Sequence, residues 1–256
     1  MSPAPPALLE VAVDGPARAV FTTRLGGVSV GPPAGLNLGA EVGDEDGAVR
    51  ANRGLLAAAL GIDPDRVTMG RQVHGALVRE VAAPTRPGRF TGGLRGWPEG
   101  DGLATGTPGL PLLVLGADCV PVLLWRRDAR GCAAAHAGWR GLVAGVVGAA
   151  VRALGEPGRI GAAVGPAVGP CCYPVDAALR DRFAARFGPE TVRPPAVDLA
   201  GAARLALIGA GVPASAIQVH EACTSCEPGR FFSHRRDGAG AGRQAGLVWA
   251  IAEPAG

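Results

Sequence analysis

The stretch LPLLVLGADCVPVLLW, residues 110–125, contains two apolar runs that flank Asp118 and Cys119. Each run has the length of a strand and lacks charged residues, which is typical of strands buried within a sheet. The run GCAAAHA at 131–137 predicts a further short strand. Cys119 and His136 are therefore expected at strand ends or in the turns beside them.

Outward from this stretch, segments of strand length alternate with segments of helical period, which predicts an α/β or α+β fold. A chain of 256 residues with 48% hydrophobic content can form one compact domain across 1–256. Further strands are predicted over 17–24, 66–69, 76–81 and 245–251, and helices over 141–154, 175–187, 198–208 and from Asp44 or Asp46 to Gly61. Residues 82–100 form either a lid or a surface insertion.

Composition excludes several classes of protein. The formal charge of +3 is spread along the chain without a basic run, so a nucleic-acid partner is not expected. Lysine is missing from the sequence, which excludes P-loop and Schiff-base or pyridoxal chemistry, because both need a lysine. Signal-peptide and membrane-span patterns are also missing, so we expect a cytoplasmic protein without a membrane partner. Six cysteines are too few for a disulfide scaffold at this length.

Three residues beside glycines or small residues form a candidate metal site: His74, Cys119 and His136. Two imidazoles and one thiolate suit zinc, and three protein ligands leave a fourth position open, as in catalytic sites. Copper also binds such a donor set. Because the three residues are far apart in sequence, the fold must bring them together. The alternative is that both histidines are ordinary core or surface residues.

The same residues allow a second interpretation without a metal. Cys119 would be a nucleophile and His136 its base, with Asp118 or a neighbouring amide orienting the imidazole. Zinc would use the thiolate as a ligand, so the two interpretations exclude each other at any one moment.

A second group of cysteines lies near the C-terminus, where His220 precedes Cys223 and Cys226. The CxxC spacing suits zinc or thiol redox chemistry, but a structural zinc site needs four ligands and only three are local. Two free thiols near a turn are the alternative. A disulfide between the adjacent Cys171 and Cys172 would be strained, so we expect these two residues to be buried and tightly packed.

Several motifs together resemble one family, the YfiH-like family, whose members are variously labelled laccase-domain protein, polyphenol oxidase, peptidoglycan editing factor and purine nucleoside phosphorylase. The similarity extends from about residue 21 to 251. The motifs that carry it are TTRLGGVS, LNLG, RQVHG, GADCVPVLL, AAAHAGWRGL, VGPAVGPCCYPV and FFSHRRDGAGAGRQAGLVW.

The resemblance implies a four-layer α/β/β/α domain with mixed sheets and a metal site on His74, Cys119 and His136. It also implies phosphorolysis of adenosine, inosine and methylthioadenosine, and deamination of adenosine. The expected partners are a purine nucleoside and phosphate. Asn37 and Gln72, each within a family motif, are candidates for hydrogen bonds to base or ribose.

Anion binding and proton transfer need further side chains. Arg140, beside a helix expected to start near Gly141, is a candidate for phosphate binding and catalysis, with a surface ion pair as the alternative. Deamination needs a carboxylate to move protons, for which Asp118 and Asp101 are the candidates. In the alternative interpretation, Asp118 is a turn residue whose side chain forms a hydrogen bond with its own backbone.

Three other functions remain open. A multicopper oxidase needs many imidazoles, and this chain has four histidines, so copper-dependent polyphenol oxidation would rest on a single ion. A hydrolase that edits peptidoglycan precursors would use Cys119 or the metal. A partner-binding protein would hold a closed structural metal site instead.

Overall fold

Two mixed sheets form the centre of the computed structural model, which describes residues 4–85 and 88–252. The first sheet has the strand order β1-β2-β13-β6-β3 and the second β12-β9-β7-β8-β5-β4, while β10 and β11 form a small hairpin. The strands are β1 Leu8–Glu10, β2 Ala17–Thr22, β3 Thr68–Met69, β4 Val78–Glu80, β5 Gly102–Thr105, β6 Leu112–Gly116, β7 Val120–Arg126, β8 Cys132–Ala137, β9 Ile160–Val164, β10 Val192–Arg193, β11 Ala196–Val197, β12 Ile217–Val219 and β13 Gln244–Ala250.

Helices cover the outer faces of both sheets. The α-helices are α1 Asp46–Leu60, α2 Trp139–Ala144, α3 Val146–Leu154, α4 Ala177–Phe187, α5 Leu199–Gly209 and α6 His234–Asp237. Leu56 of α1 packs against the first sheet, and Val147 of α3 and Leu207 of α5 pack against the second. Phe21 and Trp125 are buried between the two sheets. The expected helix, sheet, sheet, helix layering is therefore confirmed, in a single compact mixed α/β domain. Among the described residues, no helix has the length and apolar character needed to cross a bilayer.

The pairing of β7 with β8 brings Cys119 and His136 close together. β7 and β8 are antiparallel neighbours in which Val120 faces Ala137 and Pro121 faces His136. Cys119 comes immediately before β7 and therefore lies next to the C-terminal end of β8, where His136 is located. The turn between β6 and β7 contains Asp118 at a φ of 91°, which allows the chain to reverse in few residues.

The predicted helix over 141–154 differs from the observed structure. The helical segment begins at Trp139 and is divided by Gly145, whose φ of 91° interrupts the hydrogen-bond ladder. Only six residues therefore belong to the helix that follows His136. The contribution of a helix dipole next to Arg140 is correspondingly smaller than the sequence pattern indicated.

The start of α1 also differs from the prediction. Its N-cap is Glu45, which makes no side-chain capping bond, rather than Asp44 or Asp46. The Asp44 carboxylate instead accepts hydrogen bonds from Ser29 and Asn37. The C-terminal end agrees with the prediction, because Gly61 adopts a left-handed conformation after Leu60.

Within the described part of 82–100, the chain packs on the domain rather than extending into solvent. Phe90, Leu94 and Trp97 are buried. Arg95 forms an ion pair with Asp46 of α1 at 2.8 Å. Phe90 and Trp97 therefore join the core between α1 and the first sheet, and the last residues of the segment reach the cavity described below.

Candidate metal centre

His74, Cys119 and His136 meet at one end of the second sheet. One donor atom from each side chain lies within 4.8 Å of the others. The two imidazole rings stand edge to face, with centroids 4.9 Å apart. The three residues come from a loop before β4, the start of β7 and the end of β8, so the sheet register joins segments that are distant in sequence.

The buried carboxylate of Asp101 holds the imidazole of His136 and the backbone of the loop that carries His74. Its Oδ1 lies 2.9 Å from Nδ1 of His136, which leaves Nε2 of that ring free to bind a metal. The same carboxylate accepts hydrogen bonds from the backbone N–H groups of Val73, His74 and Gly75 at 2.8–3.0 Å. These three amides wrap the chain around Asp101 and hold His74 at a φ of 62°, which a non-glycine residue rarely adopts.

Electrostatics at the centre favour a thiolate. Burial raises the pKa of Cys119, but the neighbouring His136 and His74 outweigh this effect and lower the pKa to about 6. Burial lowers the pKa of His136, whereas Cys119 and Asp101 raise it to about 9. Burial also raises the pKa of the Asp101 carboxyl, but the hydrogen bonds from His136 and the loop amides lower it overall. At neutral pH the metal-free centre is therefore a thiolate beside an imidazolium.

Gly138 leaves the space that the donors need. A Cβ atom at this position would lie 2.9 Å from Sγ of Cys119 and 3.1 Å from Cδ2 of His74. Both contacts are shorter than van der Waals separation, so a larger residue would displace two of the three donors.

The three donors open onto a cavity of about 640 Å³. Sequence analysis did not assign several residues of its wall, although most of them lie within the family motifs, because the motifs do not show which side chains face a common cavity. They include Arg95 and Trp97 from the segment after residue 88, Trp139, Tyr173, His234, Arg235 and Arg243. Aromatic rings support two of the guanidinium groups: Arg140 lies 4.6 Å from the Trp139 ring centroid, and Arg235 lies 5.7 Å from that of Tyr173.

Two arginines of the wall, Arg140 and Arg243, form no ion pair with an acidic side chain among the residues that the structure describes. Arg140 is exposed and forms no ion pair with any acidic residue that the structure describes, so the expected alternative of a surface ion pair is not what is observed. Burial lowers the pKa of Arg243, while the negative charges of Cys119 and Asp118 raise it. Arg243 therefore lies in the electrostatic field of the metal centre, and its described hydrogen bonds go to backbone carbonyls.

Asn37 does not reach the cavity as a substrate ligand. Its amide nitrogen donates to the carbonyl of Gly39 and to Asp44, and its Oδ1 accepts from the backbone N–H groups of Gly39 and Arg243. All its hydrogen-bonding groups are used inside the protein. Asn37 therefore holds Arg243 in place rather than offering a free group to a ligand.

Gln72 and Asp118 line the cavity, but internal bonds occupy both side chains. The Gln72 amide exchanges two hydrogen bonds of 2.8 Å with the backbone of Leu115. Asp118 accepts from the Thr224 hydroxyl and from the backbone N–H of Arg235, each at 2.6 Å. It does not bond its own backbone as the turn alternative expected, and its contacts give it a positioning role in the wall.

The expectation for Cys171 and Cys172 was wrong. Cys171 is exposed and Cys172 is half-buried, because both residues lie in a surface loop rather than in the core. This loop contacts the loop that carries Cys223 and Cys226. The four Sγ atoms all lie within 4.8 Å of one another. His220 is not part of this cluster, since its ring packs against Phe21 with centroids 5.2 Å apart.

The fold and the three converging donors define a single-domain α/β protein with a candidate metal centre beside an arginine-rich cavity. The family model described as "Multi-copper polyphenol oxidoreductase laccase" matches residues 18–251, and solved structures of similar fold include proteins called YlmD and YfiH. The chain belongs to this laccase-like YfiH family.

Curated relatives and solved structures support that assignment over most of the chain. The purine nucleoside phosphorylase YlmD of Geobacillus stearothermophilus is 41% identical, with 89% of this chain and 88% of the relative covered. A purine nucleoside phosphorylase of Streptomyces coelicolor is 48% identical, with 90% and 93% covered. The crystal structure of YlmD matches with a TM-score of 0.85 over 93% of both chains. YfiH of Bacillus licheniformis is 32% identical and matches with a TM-score of 0.84 over 91% of this chain and 92% of that one.

Proposed function

We propose that the chain is a zinc-dependent purine nucleoside phosphorylase that acts at His74, Cys119 and His136. The observation that carries the proposal is the meeting of these donors at a cavity whose wall is rich in arginines, among them Arg140 and Arg243. Relatives of 41% and 48% identity bear the name purine nucleoside phosphorylase, which supports a nucleoside and phosphate as substrates.

The residues of the centre fit zinc. Two imidazoles and one thiolate are donors that zinc prefers, and a fourth position remains for a substrate or water. Asp101 fixes the ring of His136 with Nε2 directed away from the carboxylate, as expected for a metal ligand. Bound zinc would act there as a Lewis acid. A copper ion would fit the same donors, and elemental analysis of the purified protein distinguishes the two metals.

The arginines supply the anion site. In phosphorolysis, a phosphate oxygen forms a bond to C1′ of the ribose while the bond from C1′ to the purine nitrogen breaks, and the electron pair leaves with the base. Arg140 and Arg243 would bind the phosphate and offset its charge as it approaches the sugar. Trp139 holds the guanidinium of Arg140, and Asn37 holds the backbone of Arg243.

Deamination of adenosine is the second reaction that we propose to test at this site. The zinc-activated chemistry needs a carboxylate that can exchange protons with the substrate. Asp118 lines the cavity, but it already accepts two short hydrogen bonds. Asp101 is buried behind His136. Phosphorolysis therefore has the stronger support from the contacts of these residues.

The test is to incubate the metal-loaded protein with adenosine or inosine, with and without phosphate, and to separate the products. Phosphorolysis predicts adenine or hypoxanthine together with ribose 1-phosphate, formed only when phosphate is present. Deamination predicts inosine from adenosine with or without phosphate. A protein with its full metal content that forms neither set of products would contradict the proposal.

Two arginine variants examine the anion site. Arg140→Gln and Arg243→Gln are expected to raise the KM for phosphate by about 10-fold or more, because each removes a charged donor. Arg182→Gln is the matched control, since Arg182 is exposed on α4 away from the cavity. Unchanged phosphate kinetics in both site variants would refute the assignment of the arginines.

A further inference from the structure

Four cysteines from two loops gather in a cluster that shares no residue with the candidate metal centre. Cys171 and Cys172 lie in the loop after β9, and Cys223 and Cys226 lie in the loop after β12. β9 and β12 are neighbouring parallel strands, so both loops leave the sheet at the same edge. This placement explains how cysteines about 50 residues apart come together.

Backbone hydrogen bonds join the two loops independently of the sulfur atoms. The N–H of Ala167 donates to the carbonyl of Ala222 at 3.3 Å, and the N–H of Thr224 donates to the carbonyl of Ala167 at 3.0 Å. These bonds form an isolated bridge between Ala167 and Cys223. The cysteines are therefore held by a continuation of the sheet rather than by chance contact of two surface loops.

The sulfur positions suit a shared metal ion. Sγ of Cys226 lies 3.4 Å from Sγ of Cys171 and 3.3 Å from Sγ of Cys172, and all four sulfur atoms lie within 4.8 Å of one another. Zinc bonded to four thiolates at about 2.3 Å places the sulfur atoms about 3.8 Å apart. The two separations from Cys226 are about 0.5 Å shorter than that value, whereas a disulfide needs sulfur atoms about 2 Å apart.

Gly169 supports the cluster in two ways. Its backbone N–H donates to Sγ of Cys223 at 3.2 Å, a contact that stabilises negative charge on a sulfur ligand. A Cβ at residue 169 would lie 3.2 Å from Sγ of Cys171 and 3.3 Å from Cβ of Cys223. A side chain there would crowd the sulfur atoms, and glycine avoids this.

We propose that Cys171, Cys172, Cys223 and Cys226 bind a second zinc ion in a closed structural site. Four thiolates complete the tetrahedral coordination of zinc and leave no vertex for a substrate. The soft sulfur donors select zinc over the oxygen-binding cations magnesium and calcium. This site is separate from the centre at His74, Cys119 and His136, and its existence does not depend on the proposed nucleoside chemistry.

The second ion would fix one wall of the cavity. Thr224 lies between two of the cysteines, and its hydroxyl donates to Asp118 at 2.6 Å, next to the metal donor Cys119. Tyr173 follows Cys172 directly and lines the cavity. Arg236 also donates to the carbonyl of Thr224 at 2.9 Å. The cysteine site thus connects the surface loops to residues that contact the cavity.

Metal content of the purified protein tests the proposal without any activity assay. Protein prepared without chelators should contain about two zinc ions per chain, one in each site. The double variant Cys223→Ser/Cys226→Ser should retain about one ion, and so should His74→Ala/His136→Ala. Cys132→Ala is the matched control, because Cys132 is buried between the sheets outside both clusters, and it should retain both ions.

Cobalt substitution covers the case in which the cysteine variant fails to fold. In the His74→Ala/His136→Ala background, one bound cobalt should give the strong thiolate charge-transfer bands of a tetrahedral all-sulfur site. The proposal is overturned if this background binds no metal while wild type binds one ion. It is also overturned if denatured, unreduced protein titrates with fewer than its six thiols, since that result means a disulfide. Neither outcome alters the product assay for nucleoside phosphorolysis.

Discussion

Substitution Asp101→Asn changes the group that holds the His136 imidazole and the backbone of the loop that carries His74. Each carboxylate oxygen accepts two hydrogen bonds: Oδ1 from His74 N–H and His136 Nδ1, and Oδ2 from the N–H groups of Val73 and Gly75. Asparagine offers one oxygen and one NH₂ group in the same space. Two of the four donors therefore lose their acceptor, or the His136 ring changes its tautomer and presents a protonated Nε2 to the metal.

The magnitude follows from these contacts. A buried donor that loses its partner costs about 1–3 kcal/mol, and the loop that carries Val73 and His74 is exposed enough for water to replace part of the loss. We therefore expect the free energy of unfolding of the metal-free protein to fall by about 2–4 kcal/mol. Loss of a carboxylate behind a metal-binding histidine weakens metal affinity by about 10–100-fold, which corresponds to about 1.4–2.7 kcal/mol.

The assay combines denaturant unfolding of the metal-free protein with zinc titration against a competing chelator. Asp176→Asn is the matched control, because Asp176 caps α4 through a bond from the Leu179 N–H and asparagine caps equally well. The control should change neither quantity. If Asp101→Asn binds zinc as tightly as wild type and unfolds at the same denaturant concentration as the control, the positioning role of Asp101 is refuted.

Three further predictions concern the same region. Zinc binding near pH 7.5 should release about one proton, because the pKa of His136 is raised to about 9 in the metal-free centre. Calorimetry in buffers of different ionisation enthalpy measures the number of protons released. Binding without any proton release would contradict the prediction. Gly138→Ala should lower the zinc content by displacing two donors, whereas Gly158→Ala, with open space around the added Cβ, should retain it. Asn37→Ala should raise the KM for phosphate, because it removes the hydrogen bond that holds the backbone of Arg243. An unchanged KM would mean that Asn37 stabilises only its own loop and does not position Arg243.

The elements of the fold could largely be predicted from local sequence. Strands 17–24 and 245–251 and the helix ending at Gly61 agree with the structure within about two residues, because buried strands and helix stops have local signatures. The division of the helical segment at Gly145 was missed, since a glycine inside an apolar helical pattern is often tolerated. The N-cap of α1 was missed because Asp44 bonds to residues outside the helix.

The candidate site was predicted only in part. The residue types and the family resemblance pointed to His74, Cys119 and His136, but the register of β7 against β8 that joins them is a property of the fold. Local spacing also concealed the cysteine cluster. Counting ligands near Cys223 gave three, because the remaining sulfur donors come from the end of a parallel neighbouring strand. Sequence patterns do not record which strands become neighbours.

The role of Asp101 also could not be predicted from the sequence alone. As a lone aspartate before a strand it was a candidate for proton transfer, and its type alone could not distinguish that role from positioning. In the structure it accepts hydrogen bonds from three backbone amides and lies beside an imidazole, contacts that favour a positioning role. This set of hydrogen bonds depends on the path of the loop around residue 74, which neither the composition nor the periodicity of the sequence predicts.

Anomalous X-ray diffraction at the zinc edge, on crystals grown without chelator, shows directly whether the three donors hold a zinc ion. We expect a peak within about 2.0–2.4 Å of one donor atom each from His74, Cys119 and His136, with a fourth position directed into the cavity. A peak with four protein ligands at this position, or no peak there in protein that has nucleoside phosphorylase activity, would contradict this expectation.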